Sequence, residues 1–174
     1  MTRFRFLLFG GVVVIAAAAG LGSGPARVGT AGGQDNPNLI KQIVVPANAG
    51  WVDTGIDAAQ GEEFHVTAQG EITLQKGNPD ARCGPAGLDI MTVQQPILNH
   101  NLGALVGKVA QLVGVRKDEN TGEEIRDEIV ESFFIGAEND VKAPIKGRLY
   151  LGVNENVVRD NGGEFQVQIF RKTS

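Results

Sequence analysis

The 174-residue chain predicts an all-β fold, a β-sandwich of about eight short strands, on three observations. Short segments with strict apolar/polar alternation recur along it, as expected of strands with one face on a core and one in solvent. They are separated by turns rich in Gly, Pro and Asn, and the 24 glycines supply many positions for tight turns. No long segment repeats its apolar residues at helical spacing, and no repeat of fixed period appears.

The chain opens with Arg3 and Arg5 ahead of the uncharged run "FLLFGGVVVIAAAAGLGSGP", which ends in small residues. That layout predicts a signal peptide over residues 1–24, with an uncleaved N-terminal anchor as the alternative, because the run is just long enough to span a bilayer. In both cases the remainder is exported, in the bacterial manner to periplasm, cell surface or medium, and a membrane is met only through that segment. Residues 25–38, including "VGTAGGQDNPN", are Gly-rich, polar and aperiodic, and read as a flexible linker. The folded domain is expected over 39–174, a normal size for one sandwich with one core.

Within that domain the strands are read in order. "QIVVPA" (42–47), "WVDTGID" (51–57) and "EFHVTAQGEITL" (63–74) come first, the last with Phe64, Val66 and Ala68 on one face. "GALVGKVAQLVGV" (103–115), "ESFFIGA" (131–137), "GRLYLGV" (147–153) and "FQVQIF" (165–170) follow. One stretch is ambiguous. In "TGEEIRDEIVESFF", Ile125, Ile129, Val130 and Phe133 fit helical spacing, so a short helix competes there with a charged hairpin arm. The charges from Arg116 to Glu131 read as a solvated projection.

Composition excludes several functions. Without residues 1–35 the chain keeps 13 basic and 19 acidic residues, a net charge of −6, which disfavours a phosphate backbone as partner. Cys83 is the only cysteine, so no intrachain disulfide forms, and it reads as a small, partly buried hydrophobe. Serine occurs only at 23, 132 and 174, and no G-x-S-x-G elbow exists. His65 falls on the outer face of a strand and His100 in a polar loop, and two histidines do not make a zinc site. No phosphate-binding or dinucleotide fingerprint is present. With no catalytic constellation, the chain is read as not an enzyme.

The chemistry that remains is oxygen chemistry. "VNENVVRDNGGEF" (153–165) brings Asn154, Glu155, Asn156, Asp160 and Asn161 into one loop between two strand-like runs, read as the loop of a β-hairpin. Asn161-Gly162 suits a turn that needs positive φ, so a solvated turn is one reading. The other is a hard cation such as Ca²⁺, which takes about six to eight oxygens from carboxylates, carboxamides and carbonyls. The spacing is not that of an EF-hand.

Several fragments then occur in one order: "WVDTGID" with "GEEF", "AQGEITL", "CGPAGL", "LGALVGKV", "FFIG" and "GRLYLGVNENVVRDNGGEFQVQI". This order resembles the PA-I galactophilic lectin family and its exported bacterial relatives, from about Gly50 to Ile169. Its most specific pieces are G-P-x-G at 84–87, G-A-L-V at 103–106 and D-N-x-G at 160–163. The resemblance implies a galactose-binding-like jelly-roll β-sandwich with Ca²⁺ at one end, coordinating sugar hydroxyls directly. Carried over by position, it implies a metal set of Glu155, Asp160 and Asn161, the backbone carbonyl of Leu74, and a loop carbonyl from Val157 or Val158. The His-Pro-x-x-Gln element that contacts galactose in the family has no clean equivalent in "DIMTVQQPILNHN", where Gln94, Gln95 and Asn99 stand as sugar contacts, joined by Asn154 and Asn156 of the metal loop.

The function expected is thus a non-catalytic, Ca²⁺-dependent carbohydrate-binding domain, with a homo-oligomer as a further expectation. The alternative is a structural or protein-interaction sandwich whose loop binds calcium for stability or binds nothing.

Overall fold

A computed structural model describes residues 38–93 and 95–173 of the chain. The expected signal or anchor, nearly all of the linker, and Gln94 lie outside the described residues. Nine strands are present among them: β1 Leu39–Pro46, β2 Val52–Ala58, β3 Glu63–Thr73, β4 Arg82–Cys83, β5 Leu105–Lys117, β6 Glu124–Phe134, β7 Glu138–Lys142, β8 Gly147–Val153 and β9 Gly162–Arg171. Among the described residues the one helical piece is a 3₁₀ turn over Pro79–Ala81, capped by the Asn78 side chain. No described helix is long and apolar enough to cross a membrane.

The strands form two antiparallel sheets. One has the order β1-β9-β3-β4, with β7 also paired to β3, and the other is β2-β8-β5-β6. The alternation read from sequence packs them together: Phe64, Val66 and Ile72 of β3 and Phe165, Val167 and Ile169 of β9 meet Leu149, Leu151 and Val153 of β8 and Leu105 and Val109 of β5 in one core. Each side chain of this size contributes about 1.5–3 kcal/mol by leaving water. The all-β sandwich expected from the sequence is the fold observed.

Three local expectations change. Residues 121–134 form a strand arm and no helix, because β6 runs in register along β5 from Lys117↔Glu124 to Val106↔Phe134. β8 holds β5 only as far as Ala110↔Arg148, so the rest of the β5-β6 pair projects as a two-stranded ribbon. There Leu112, Val113, Val115, Ile129 and Val130 stay exposed on both sides, and this blurs the period-2 signal. The 154–161 loop does not close a hairpin: β8 pairs with β2 and β5, whereas β9 pairs with β1 and β3, so the loop crosses from one sheet to the other at one end of the sandwich. Alternation reports which face of a strand is buried and is silent on which neighbour it pairs with. The short strands β4 and β7 were not foreseen, since β7 buries only Val141.

Two glycines set the loop end. Gly87 has φ +78, and a Cβ there would lie 2.7 Å from the Ala104 nitrogen. Gly163 has φ +80, and a Cβ would collide with the Glu71 carbonyl on β3. Positive φ thus falls at Gly163, one residue after the expected turn position.

Candidate functional site

The crossing loop is held at both ends by asparagine. At its start Asn154 is fully buried, with its backbone N–H bonded to the Ala104 carbonyl at 2.8 Å. Its side-chain oxygen accepts from the Ile97 N–H at 2.8 Å, and its Nδ2 donates to the carbonyls of Ile97 at 3.0 Å, Asn101 at 3.1 Å and His100 at 3.4 Å. Gln95 completes this tie from within the 95–101 segment, donating from Nε2 to the carbonyls of His100 at 2.7 Å and Ile97 at 2.8 Å. Asn154 and Gln95, expected as sugar contacts, are both buried, with their amides turned onto loop backbone, where they fix the segment. Asn99 and Asn156 are exposed.

At the far end Asn161 is also fully buried. Its Nδ2 donates to the Ala47 carbonyl at 3.2 Å and to Glu155 Oε2 at 2.6 Å. Both partners are acceptors, so the amide cannot be flipped and its oxygen is the atom that faces the remaining space. That Oδ1 is the one buried side-chain oxygen or nitrogen among the described residues with no hydrogen-bond partner. An unanswered buried acceptor costs about 1–3 kcal/mol.

Glu155 and Asp160 supply charge beside it. Burial pushes the Glu155 carboxyl above its usual range against the opposing hydrogen bond from Asn161, and the Asp160 charge raises it further. The Asp160 side chain is exposed while its carbonyl accepts from the Lys76 N–H at 3.0 Å. Leu74 is buried at the end of β3, with its own N–H on the Ala81 carbonyl at 2.8 Å, and Val157 is exposed. Cys83 lies behind this end of the core, its thiol 3.9 Å from the Gly103 carbonyl and pushed up to about 11 by burial, then by the charges of Glu155 and Glu71. It is inert packing, as the sequence suggested.

The oxygen types gathered here match those a hard cation takes. A buried carboxamide oxygen without a donor, next to two carboxylates in a partly dehydrated loop, is a donor set suited to Ca²⁺. No group of three or more His, Cys, Asp or Glu side chains placed to hold a metal exists among the described residues, so a cation here would rest on carboxamide and backbone oxygens beside the carboxylates. Ala47 and Lys76, which hold Asn161 and Asp160, carry no sequence signal, because both act through backbone atoms.

On the second sheet Lys108 approaches both the chain's single Trp and its single Tyr. Lys108 Nζ lies 4.8 Å from the Trp51 ring centroid and 5.2 Å from that of Tyr150, and burial lowers its pKa. Trp51 covers Gly152, two residues before Asn154. His100 stacks flat on Phe134 at 4.4 Å and is more than a polar loop residue. His65 bonds Asp140 at 2.8 Å on the outer face of β3.

No protein-family model matches the chain, and no curated protein matches it. Among solved structures it is similar to one described as "EclA N-terminal domain; PllA-like lectin", with a TM-score of 0.55 and 23% identity over 78% of this chain and 99% of that one. That likeness concerns the fold: the two-sheet sandwich is the architecture of a lectin domain.

Proposed function

We propose that the chain is an exported, non-catalytic carbohydrate-binding domain that holds its ligand through Ca²⁺ at the crossing loop. The observation that carries this is the buried, unanswered Oδ1 of Asn161 beside the Glu155 carboxylate, at the end of a sandwich similar in fold to a PllA-like lectin. Export rests on the signal-like start of the sequence.

Asn161 and Glu155 would hold the ion from the side chain, with Asp160 adding charge from the solvent side and the Leu74 and Val157 carbonyls completing the set. When bound, the ion would supply a positive centre on which neighbouring sugar hydroxyls could replace water. The Ala47 and Lys76 backbone bonds keep Asn161 and Asp160 in place before any ligand arrives, so little ordering cost falls on binding. Among the described residues of the expected sugar set, Asn156 and Asn99 are exposed and available to hydroxyls.

The test is binding of the protein to immobilised galactosides, mannosides and fucosides in multivalent form, with Ca²⁺ and with chelator. Retention on at least one sugar in Ca²⁺, abolished by chelator and weakened by Glu155→Gln, is expected. Calcium binding with no retention on any glycan overturns the sugar reading and makes the ion structural.

A further inference from the structure

The outer face of the first sheet carries a second concentration of polar groups, themselves uncharged and unused by the crossing loop. The strand register sets it out as a grid. Gln42 on β1 stands opposite Gln168 on β9, which stands opposite Thr67 on β3, and in the next row Val44, Gln166 and Gln69 align in the same way. With strands about 4.8 Å apart and same-face residues about 6.7 Å apart along a strand, the six side chains cover roughly 10 Å by 7 Å. They line a depression of about 500 Å³, within the range of small-molecule sites.

The amides are almost idle. Among the described residues the hydrogen bond formed between these six side chains is a long one, from Gln69 Nε2 to Gln166 Oε1 at 3.4 Å. Among the described residues no charged side chain lines the depression. The rows beyond it on either side are ionic and already paired, Glu71 with Arg82 at 3.1 Å and His65 with Asp140 at 2.8 Å. A second depression of about 300 Å³ adjoins the first, sharing Thr67 and Gln168, and ends on the rings of Phe170 and His65, whose centroids are 5.8 Å apart. Arg171 and Lys172 also line it, their charges answered by Glu62 at 2.7 Å and Asp140 at 2.7 Å.

We propose that this face is a second carbohydrate site, independent of the crossing loop, which takes a neutral, extended oligosaccharide. A carboxamide presents a donor and an acceptor side by side, and so does a sugar hydroxyl, so four glutamines in a neutral field match a row of hydroxyls and no charged ligand. Val44, 44% exposed at one corner, offers an apolar contact for ring C–H groups, and Phe170 offers another at the far end. Two contiguous depressions along the strands favour a chain of sugar units over a single one. A protein partner would want an apolar centre, which this face lacks. Among the described residues no carboxylate lies in either lining, and the amide-to-hydroxyl binding proposed here involves no metal.

The test is native affinity electrophoresis of the full chain through gels containing soluble neutral polysaccharides (galactomannan, glucomannan, xyloglucan, dextran), all in chelator so that the crossing loop is silent. At least one polysaccharide is expected to retard the protein, and Gln42→Ala combined with Gln166→Ala, exposed positions whose loss leaves the melting temperature unchanged, is expected to weaken that retardation at least tenfold. Failure of all four to retard the protein, or equal retardation of the double variant, overturns the proposal. Sedimentation of wild type and double variant provides the second measurement: a wild-type dimer that the double variant loses makes the face a contact between copies and also overturns it.

Discussion

Asn161 gives its side-chain N–H to Glu155 at 2.6 Å and keeps its own oxygen buried without a donor. That pairing links the two ends of the crossing loop and sets the direction in which the unanswered oxygen faces. A cation accepted there stabilises the folded state alone, since the unfolded chain does not gather the same oxygens. With an affinity of order 10⁻⁴ M, about 1 mM Ca²⁺ adds about 1.4 kcal/mol. Melting followed with Ca²⁺ and with chelator should differ by a few degrees, and Asp160→Ala should abolish the difference while leaving the chelator melt close to wild type. Equal melts in the wild type count against the metal site.

Asn154→Ala should cost about 2–3 kcal/mol, because it strands the Ile97 N–H and removes the donor to three carbonyls in a buried setting. Denaturant unfolding measures the loss. Hydrogen exchange should show it concentrated in residues 95–101, and a uniform loss of protection would contradict the tie.

Gly163→Ala should destabilise by about 2–3 kcal/mol, given a φ of +80 and a Cβ directed at the Glu71 carbonyl. Because Asn161 sits two residues away, the calcium response should weaken with it. A variant as stable as wild type by thermal melting would show that β9 can shift along β3 at no cost.

The Cys83 thiol, held near 11 in the fold, gives a pH signature. The folded state keeps the proton more tightly than the unfolded chain, so the stabilisation is fully present below about pH 9 and is lost as pH rises toward 11. The loss is of order 2–3 kcal/mol. Cys83→Ala should show a shallower alkaline decline than wild type in denaturant midpoints taken between pH 8 and 11. Identical slopes would remove the thiol from the account.

Much of the fold was legible because core strands carry their burial in the sequence: Phe64/Val66 and Phe165/Val167/Ile169 alternate cleanly, and all are buried. β6 was ambiguous for a physical reason, since an arm that leaves the core has no buried face to impose a period, and Ile129 and Val130 are adjacent and both exposed. The loop's composition pointed to the polar cluster, yet composition cannot separate an amide aimed at solvent from one aimed at backbone. Asn154 and Asn161 are the same residue type seven positions apart. One is consumed by the 95–101 segment and the other leaves an oxygen unanswered, a difference decided by Ile97 and Ala47, both distant in sequence.

The β5-β6 ribbon ends in a turn knit by the Asp118 side chain, whose Oδ1 accepts from the N–H groups of Asn120 at 2.8 Å and Thr121 at 2.9 Å. Its tip stands about 20 Å beyond the last residue that β8 holds, and no core side chain depends on it. Foreign sequence spliced between Asn120 and Thr121 would therefore be carried clear of both sheets without entering the folding of either. The ribbon is a stalk on which a second domain, a fluorophore or a surface tether can be mounted at a fixed remove from the crossing loop.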